Sequence, residues 1–347
     1  MNGGNLMRSS SSAGPDWTIA IPAYNRASTI GSAVRSAVEA LGPRTADGRG
    51  EVLVVDNHSS DTTADVAETF DGVRVVRFDE TVSMFANHNR CARESRGRWI
   101  VFLHSDDRMP AGWIEHLEAA IGNDAFRGGD SRVDAVVDLD WHRIGDAIDD
   151  ADDWIGDDAP TGRRLAWVLA AGISPPSGNA FRRETLLESP LDEHIEAADL
   201  STLHRWMVAG RVVRHRRQPG RIWSCRGSSA SGRYAFRRRR RQLYRGILQP
   251  VVDSPHWSAI SDSLIRIYPR LTAERRSAVM YQLAAGDQQS VARRLIGDEP
   301  RLRDLARRRT FWTRDLPSLV APATYHAARA GALSIAETVD RIRRRAA

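Results

Sequence analysis

Lysine is absent from the 347-residue sequence, so all 50 of its Lys-plus-Arg positions are arginine. A guanidinium stays charged at working pH and presents a planar fork of donors that matches carboxylate and phosphate oxygens. A compositional preference for arginine explains the missing lysine but not the distribution of charge. Residues 201–347 hold 31 Arg against 10 Asp plus Glu, whereas residues 1–200 hold 19 Arg against 34, a net −15. Cysteine is nearly absent too. Cys91 and Cys225 are too few and too scattered for a disulfide framework or a cysteine zinc site, which fits a reducing compartment. No apolar run approaches the roughly 20 residues needed to span a bilayer. The Ser- and Gly-rich stretch 1–15 lacks the apolar block of a secretion signal and reads as a disordered tail. These absences predict a cytoplasmic protein.

What is present describes an ordinary folded chain, with 41% hydrophobic and 27% charged residues. Apolar runs at Trp17–Pro22, Glu51–Asp56, Val73–Phe78 and Trp99–His104 read as buried strands. Helical periods separate them. One opens at Ser28 or Thr29 and runs to Leu41, a second runs from Asp61 to Phe70, and a third spans Met84–Arg96. Ala111–Ile121 follows the fourth strand. This β-α alternation with short links predicts a doubly wound, mostly parallel α/β sheet. Further on, Val133–Leu139 reads as a fifth strand and leads into a segment with nine Asp between positions 138 and 158. Thr161–Ala171 and Ala198–Ala209 read as helices, and Gly178–Arg182, Val212–Val213 and Ile222–Trp223 as short strands. From 234 onward the pattern is helical, broken at Pro250, Pro255, Pro269, Pro300, Pro317 and Pro322. The expected divisions are a tail (1–15), an α/β domain (16–231) and a basic helical region (232–347).

The chain is organised around the fourth strand, whose apolar run ends abruptly in His104-Ser105-Asp106-Asp107. Adjacent carboxylates repel each other, and keeping both ionised is costly unless a cation or donors sit between them. Open α/β sheets place their ligand sites at the carboxyl ends of strands. The plainer alternative is that Asp106 or Asp107 caps the helix starting near Pro110. Asp56-Asn57, at the end of another strand, offers an acceptor and a mixed donor–acceptor suited to a nucleobase and ribose. The alternative there is a turn organised by Asp56 and Ser59, with Asp61 as a helix cap.

Four segments occur in a definite order. Val55-Asp56-Asn57-His58-Ser59-Ser60-Asp61-Thr62-Thr63 fits the pattern D-[DN]-x-S-x-D-x-T. Pro22-Ala23-Tyr24-Asn25 fits P-x-Y-N, and Asn89 through Leu103 resembles N-x-G…A-x-G-x-x-I-x-F-L. His104-Ser105-Asp106-Asp107 stands at a D-x-D-D position. Together they resemble glycosyltransferase family 2, inverting nucleotide-sugar enzymes of the GT-A fold, closely over 16–125 and loosely over 126–231.

The resemblance implies a donor site made by Pro22, Tyr24, Asn25, Asp56, Asn57, Asn89, Ser105, Asp106 and Arg226, with UDP as the nucleotide. Arg226 opens a segment similar to the family's H-x-x-S-x-S loop near the diphosphate, with Arg in place of His. The metal, Mn²⁺ or Mg²⁺, is implied at Asp106 with Asp107 and His104. His104 replaces the family's first Asp, and an imidazole shifts preference towards Mn²⁺. Cys91 replaces a common Gly and reads as a small buried residue. The general base is implied at Asp199, with Glu196 as second choice and a first-turn helix charge as the alternative role for Asp199. Asp192 reads as a turn residue. Asn179 is the acceptor contact the resemblance implies; Trp141 and His142 follow the fifth strand, where aromatic faces that stack on pyranose rings would line the acceptor site, and edge-of-core packing is the alternative for that pair.

The run Arg237–Arg241 reads as a solvated helix face or as a peripheral anchor on anionic lipid at the inner face of the membrane, where a lipid-linked acceptor would sit. No nucleic-acid-reading motif accompanies it, so nucleic acid is not an expected partner. The expected partners are a nucleotide sugar and a glycan or lipid-linked acceptor. The rival expectation is a degenerate, noncatalytic nucleotide-sugar or anionic-membrane binding protein.

Overall fold

The computed structural model describes residues 14–126, 132–138, 160–172, 177–195, 197–216 and 240–297. Its centre is β1 (Trp17–Ala23), buried at every position except the half-buried Pro22. A strand covered on both faces needs an unbroken apolar sequence. Beside it lie β2 (Gly50–Asp56), β3 (Val73–Arg77) and β4 (Trp99–Phe102). They are joined by α1 (Ile30–Leu41), α2 (Thr63–Glu68) and α3 (Met84–Glu94), and β4 is followed by α4 (Trp113–Ile121). The second half adds β5 (Val133–Asp138), α5 (Thr161–Ala171), β6 (Ala180–Arg182), α6 (Arg183–Glu188), α7 (Ala198–Val208) and β7 (Val212–Arg216).

Among the described residues the seven strands form one sheet in the order β3-β2-β1-β4-β6-β5-β7. β1 runs parallel to β2 and β4, with Ala23 opposite Asp56 and Trp17 opposite both Gly50 and Trp99. Only β6 is reversed, lying antiparallel to β4 and β5, while β7 is parallel to β5. The sheet is therefore mixed and mostly parallel.

Strand side chains alternate between faces, and the core divides accordingly. Ile19, Ile21, Val52, Val54 and Val101 pack with Ile30 and Val34 of α1 and with Trp113 and Leu117 of α4. Ala20, Leu53, Val55, Ile100 and Phe102 face the other way, onto Phe85 and Cys91 of α3 and Trp167 of α5.

That second face continues into the C-terminal helices α8 (Arg240–Val252), α9 (Trp257–Ile267), α10 (Ala273–Ala285) and α11 (Gln289–Gly297). Leu248, Val251, Ile260, Leu264 and Met280 belong to the same hydrophobic cluster as Ile100 and Phe102. The helices expected as a separate region thus share a core with the sheet. Pro255 and Pro269 fall at helix ends, but Pro250 lies inside α8. Two residues from the end of a helix, a proline forfeits one backbone bond without breaking it. No helix among the described residues is long and apolar enough to cross a membrane.

His204 joins α7 to α8, its Nδ1 lying 2.9 Å from the Ile247 carbonyl. Burial, partly offset by that bond, holds the imidazole below its ordinary value of 6.5. The unfolded chain therefore binds a proton at higher pH than the folded one, so stability is full above the unfolded value and falls as pH drops through it. Urea midpoints are expected to fall between about pH 7.5 and about pH 5.5. His204→Asn removes this titration and should shrink the difference; an unchanged difference would assign the slope to other groups.

Candidate functional site

At the carboxyl edge of the sheet, two loops are laced together. Asn25, just past β1, takes a left-handed φ of 52°, a conformation Asn tolerates. Its N–H donates to Ser59 Oγ (2.9 Å), and its Oδ1 accepts from the N–H of Ser60 (2.9 Å). The Arg26 N–H donates to Thr63 Oγ1 (2.6 Å) and the Ala27 N–H to Asp61 Oδ2 (3.2 Å). Burial pushes the Asp61 carboxyl up, but bonds from Thr63 and Ala27 outweigh it and hold the group below the usual carboxylate range. These bonds tie the β1–α1 and β2–α2 loops to each other.

Asp56 ends β2 and is buried. One of its oxygens accepts from Ser59 Oγ and the other from the Ser59 N–H, so it does organise the turn. A carboxylate has about four acceptor sites, so two bonds do not exhaust it. Tyr24 follows Ala23, the residue paired with Asp56, and is 46% exposed. Ring and carboxylate thus leave the sheet at adjacent positions.

Two residues expected to touch a donor also brace the chain. Asn57 spends its amide on the chain at Val82, with Nδ2 donating to the carbonyl (2.9 Å) and Oδ1 accepting from the N–H (3.0 Å). Arg90 Nη1 bonds the same Oδ1 at 3.1 Å. Asn89 does likewise for the segment before α7, since Nδ2 donates to the Leu191 carbonyl (2.8 Å) and Oδ1 accepts from the Leu191 N–H (3.0 Å). Asn89→Ala strands a buried N–H and carbonyl, which costs about 1–3 kcal/mol each in the worst case. The expected result is a lowered unfolding midpoint with unchanged nucleotide affinity, and the reverse pattern would restore a donor role.

Past β4, the His104 N–H donates to Ser177 Oγ (3.1 Å) and the Asp107 N–H to the His104 carbonyl (2.9 Å), closing a turn. The turn sends the two carboxylates apart. The Asp107 side chain is only 2% exposed, with Oδ2 3.8 Å from His104 Nδ1. The Asp106 side chain is 18% exposed, with Oδ2 4.0 Å from Arg26 Nε. Asp107 and His104 therefore face each other within the turn, and the three residues expected at a metal do not form one cluster among the described residues. Neither Asp caps the next helix. α4 starts at Trp113 behind Gly112, which has φ 72° and provides no side-chain cap.

The remaining candidates are scattered in role. Ser105 and Asn179 are buried, the latter beside Gly178, whose N–H donates to the Phe102 carbonyl at 2.7 Å. Asp199 is buried in the first turn of α7. Asp192 accepts from the His194 N–H (2.9 Å), the turn role expected of it. Cys91 is fully buried, and burial pushes its thiol well up, away from nucleophilic use. Pro22 holds the register of β1 against Val55. Trp141, His142, Glu196 and Arg226 lie outside the described residues, as does most of the Arg237–Arg241 run.

Sequence reasoning missed Arg26 and Arg90. Arg26 is the cation facing Asp106. Arg90 sits buried over the Phe78 ring at 4.1 Å and donates to the Glu80 carboxylate at 3.0 Å. The available signal was Arg26 directly following Tyr24-Asn25, which placed a guanidinium in the same loop as the expected site.

Comparison with known proteins bears on this edge of the sheet. Residues 18–184 match the model of Glycosyl transferase family 2. The succinoglycan biosynthesis protein ExoO of Rhizobium meliloti is 40% identical over 97 residues, covering 27% of this chain and 26% of that protein. The chain covers between 26% and 34% of the length of the curated relatives it matches. Residues 1–349 of S. aureus TarS in complex with UDP-GlcNAc superpose with a TM-score of 0.53 at 12% identity, covering 83% of this chain and 92% of that one. The mannosyltransferase PcManGT from Pyrobaculum calidifontis, in complex with GDP-Man and Mn²⁺, gives 0.52 at 20% identity, covering 92% and 88%. At such identities the likeness is one of fold, and the expected GT-A architecture with a helical C-terminal region is the one observed.

Proposed function

Because residues 18–184 match the model of glycosyl transferase family 2, we propose that the chain transfers a sugar from a nucleoside diphosphate to a hydroxyl of a glycan or lipid-linked acceptor, with inversion. The observation that carries this reading is the convergence of Tyr24, Asp56 and Asp106 at one edge of the sheet, where strand order reverses about β1. Such switch points are where open α/β sheets bind ligands. ExoO, similar over part of its length, acts in succinoglycan biosynthesis by its name, which favours a polysaccharide acceptor.

In this reading the exposed Tyr24 ring stacks on the base, and Asp56 accepts from a base N–H with its spare lone pairs. UDP is the nucleotide favoured by the sequence resemblance. Arg26 reaches the diphosphate from its place beside Asp106.

The residues present fit a divalent cation of one kind. Among the described residues no three His, Cys, Asp or Glu cluster as a metal cage. A partly exposed carboxylate held only loosely, at 4.0 Å, by a guanidinium suits Mg²⁺ or Mn²⁺, which take one or two carboxylates and complete their shell with phosphate and water. Asp106 would hold it, and when bound it supplies charge neutralisation to the departing diphosphate. Asp199, with its carboxylate in the first turn of α7, takes the proton from the acceptor hydroxyl.

Calorimetric titration of UDP, with and without Mn²⁺, tests the donor site. Metal-dependent binding abolished by Asp106→Ala is the expected result. Binding of GDP or dTDP but not UDP would reassign the base and keep the site. No binding of any nucleotide would overturn the proposal in favour of a noncatalytic protein.

A further inference from the structure

At the opposite edge of the sheet from Asp106, the start of β4 and the end of β6 open onto a cavity of about 470 Å³. Four arginines line it: Arg96, Arg98, Arg182 and Arg183. Cross-strand pairing gathers them, with Trp99 opposite Arg182 and the Arg183 N–H donating to the Arg98 carbonyl at 2.9 Å.

Two of the four are fixed in place. Arg183 donates through Nε to the Ala92 carbonyl and through Nη2 to the Arg93 carbonyl, both at 3.2 Å, at the open end of α3. Arg98 donates through Nη2 to the Ala125 carbonyl (2.6 Å) and to Asp16 Oδ1 (3.2 Å). Arg182 meets Glu184 at 3.5 Å. Arg96 is exposed, and among the described residues its guanidinium has no hydrogen bond or ion pair.

Against the four arginines the cavity wall carries two carboxylates, Glu184 and Glu188. Glu188, on the cavity wall, is engaged at 2.6 Å by Arg211 from outside it, and Asp16 is shared with Arg49 at 2.8 Å. A concave wall carrying excess charge of one sign focuses the field on whatever enters. Guanidinium forks match phosphate oxygens in pairs. Leu187, a large apolar side chain 42% exposed, and Trp99 add a nonpolar wall for an organic moiety.

We propose that this cavity is a second binding site, separate from the donor edge, for a soluble phosphate or diphosphate ester. It rests on the arginine cluster alone and stands or falls independently of the glycosyl-transfer reading.

The test is calorimetry of inorganic pyrophosphate with the full chain, in chelator so that no divalent ion supports binding at the donor edge. One site per chain is expected. Binding should persist in Asp56→Ala and weaken about tenfold or more in Arg96→Gln/Arg182→Gln, the loss expected for two charge-assisted contacts. Leu187→Glu, which sets a carboxylate on the rim, should weaken it as well and guards against a fold defect in the double variant. Arg35→Gln, an exposed arginine on α1, should leave it unchanged. No binding overturns the proposal. So does equal loss in Arg35→Gln, which would mean diffuse attraction, or loss in Asp56→Ala, which would place the ligand at the donor edge. Sedimentation on phosphatidylglycerol vesicles that the double variant abolishes, in a protein that takes no pyrophosphate, would replace the soluble ester by a lipid headgroup.

Discussion

Asp199→Asn is expected to lower kcat about 10³-fold while leaving nucleotide affinity unchanged, as loss of a general base does within its usual range of about 10²–10⁴. The substitution keeps the volume of a buried side chain in the first turn of α7 and removes its charge and its capacity to take a proton. A carboxylate there also favours the helix N-terminus, an effect of about 0.3–1 kcal/mol, so a small fall in unfolding midpoint accompanies the change. The two roles separate in the readouts. A base lost from the reaction lowers kcat and removes the acid limb of its pH profile, whereas a helix charge lost lowers the midpoint and leaves turnover alone. Turnover equal to the parent would return the base to another carboxylate, Glu196 first.

Gly97→Ala is expected to destabilise the fold by about 3 kcal/mol, the upper part of the range for overpacking. Gly97 sits just before β4, where its N–H donates to Thr18 Oγ1 at 2.9 Å. A Cβ there would stand 2.5 Å from the Trp17 carbonyl carbon and from the Thr18 nitrogen. These are backbone atoms of the central strand and have no rotamer by which to yield. Relief requires β1 to shift, and β1 is paired on both sides. Gly48 supplies the contrast. It has φ 67° and nothing within 4 Å of an added Cβ, so Gly48→Ala meets strain without collision, about 1–2 kcal/mol. Equal melting shifts for the two variants would mean that the β1–β4 contact gives way more easily than the packing implies.

Gly97 also shows where sequence reading stops. In the sequence it is punctuation before an apolar run; only the approach of β1, about 80 positions earlier, turns it into a steric requirement. Asn57 and Asn89 teach the same lesson. Each stands at a position the resemblance assigns to the donor, and each amide also bonds the chain at Val82 or Leu191, contacts that cross 25 and 102 positions. No local pattern encodes such partners.

The sequence by itself determined the α/β alternation, the resemblance to glycosyl transferase family 2 and the position of Asp56 and Asp106 at or just past strand ends, because these follow from short-range periodicity and from motifs a few residues long. The tertiary structure alone decided the reversal of β6, the merging of α8–α11 with the core of the sheet, and the pairing of Arg26 with Asp106. It also turned Asp107 inward and gathered Arg96, Arg98, Arg182 and Arg183 around one cavity. Those outcomes depend on which surfaces meet after the chain has folded. Burial and distance then assign different work to residues that look equivalent when read in line.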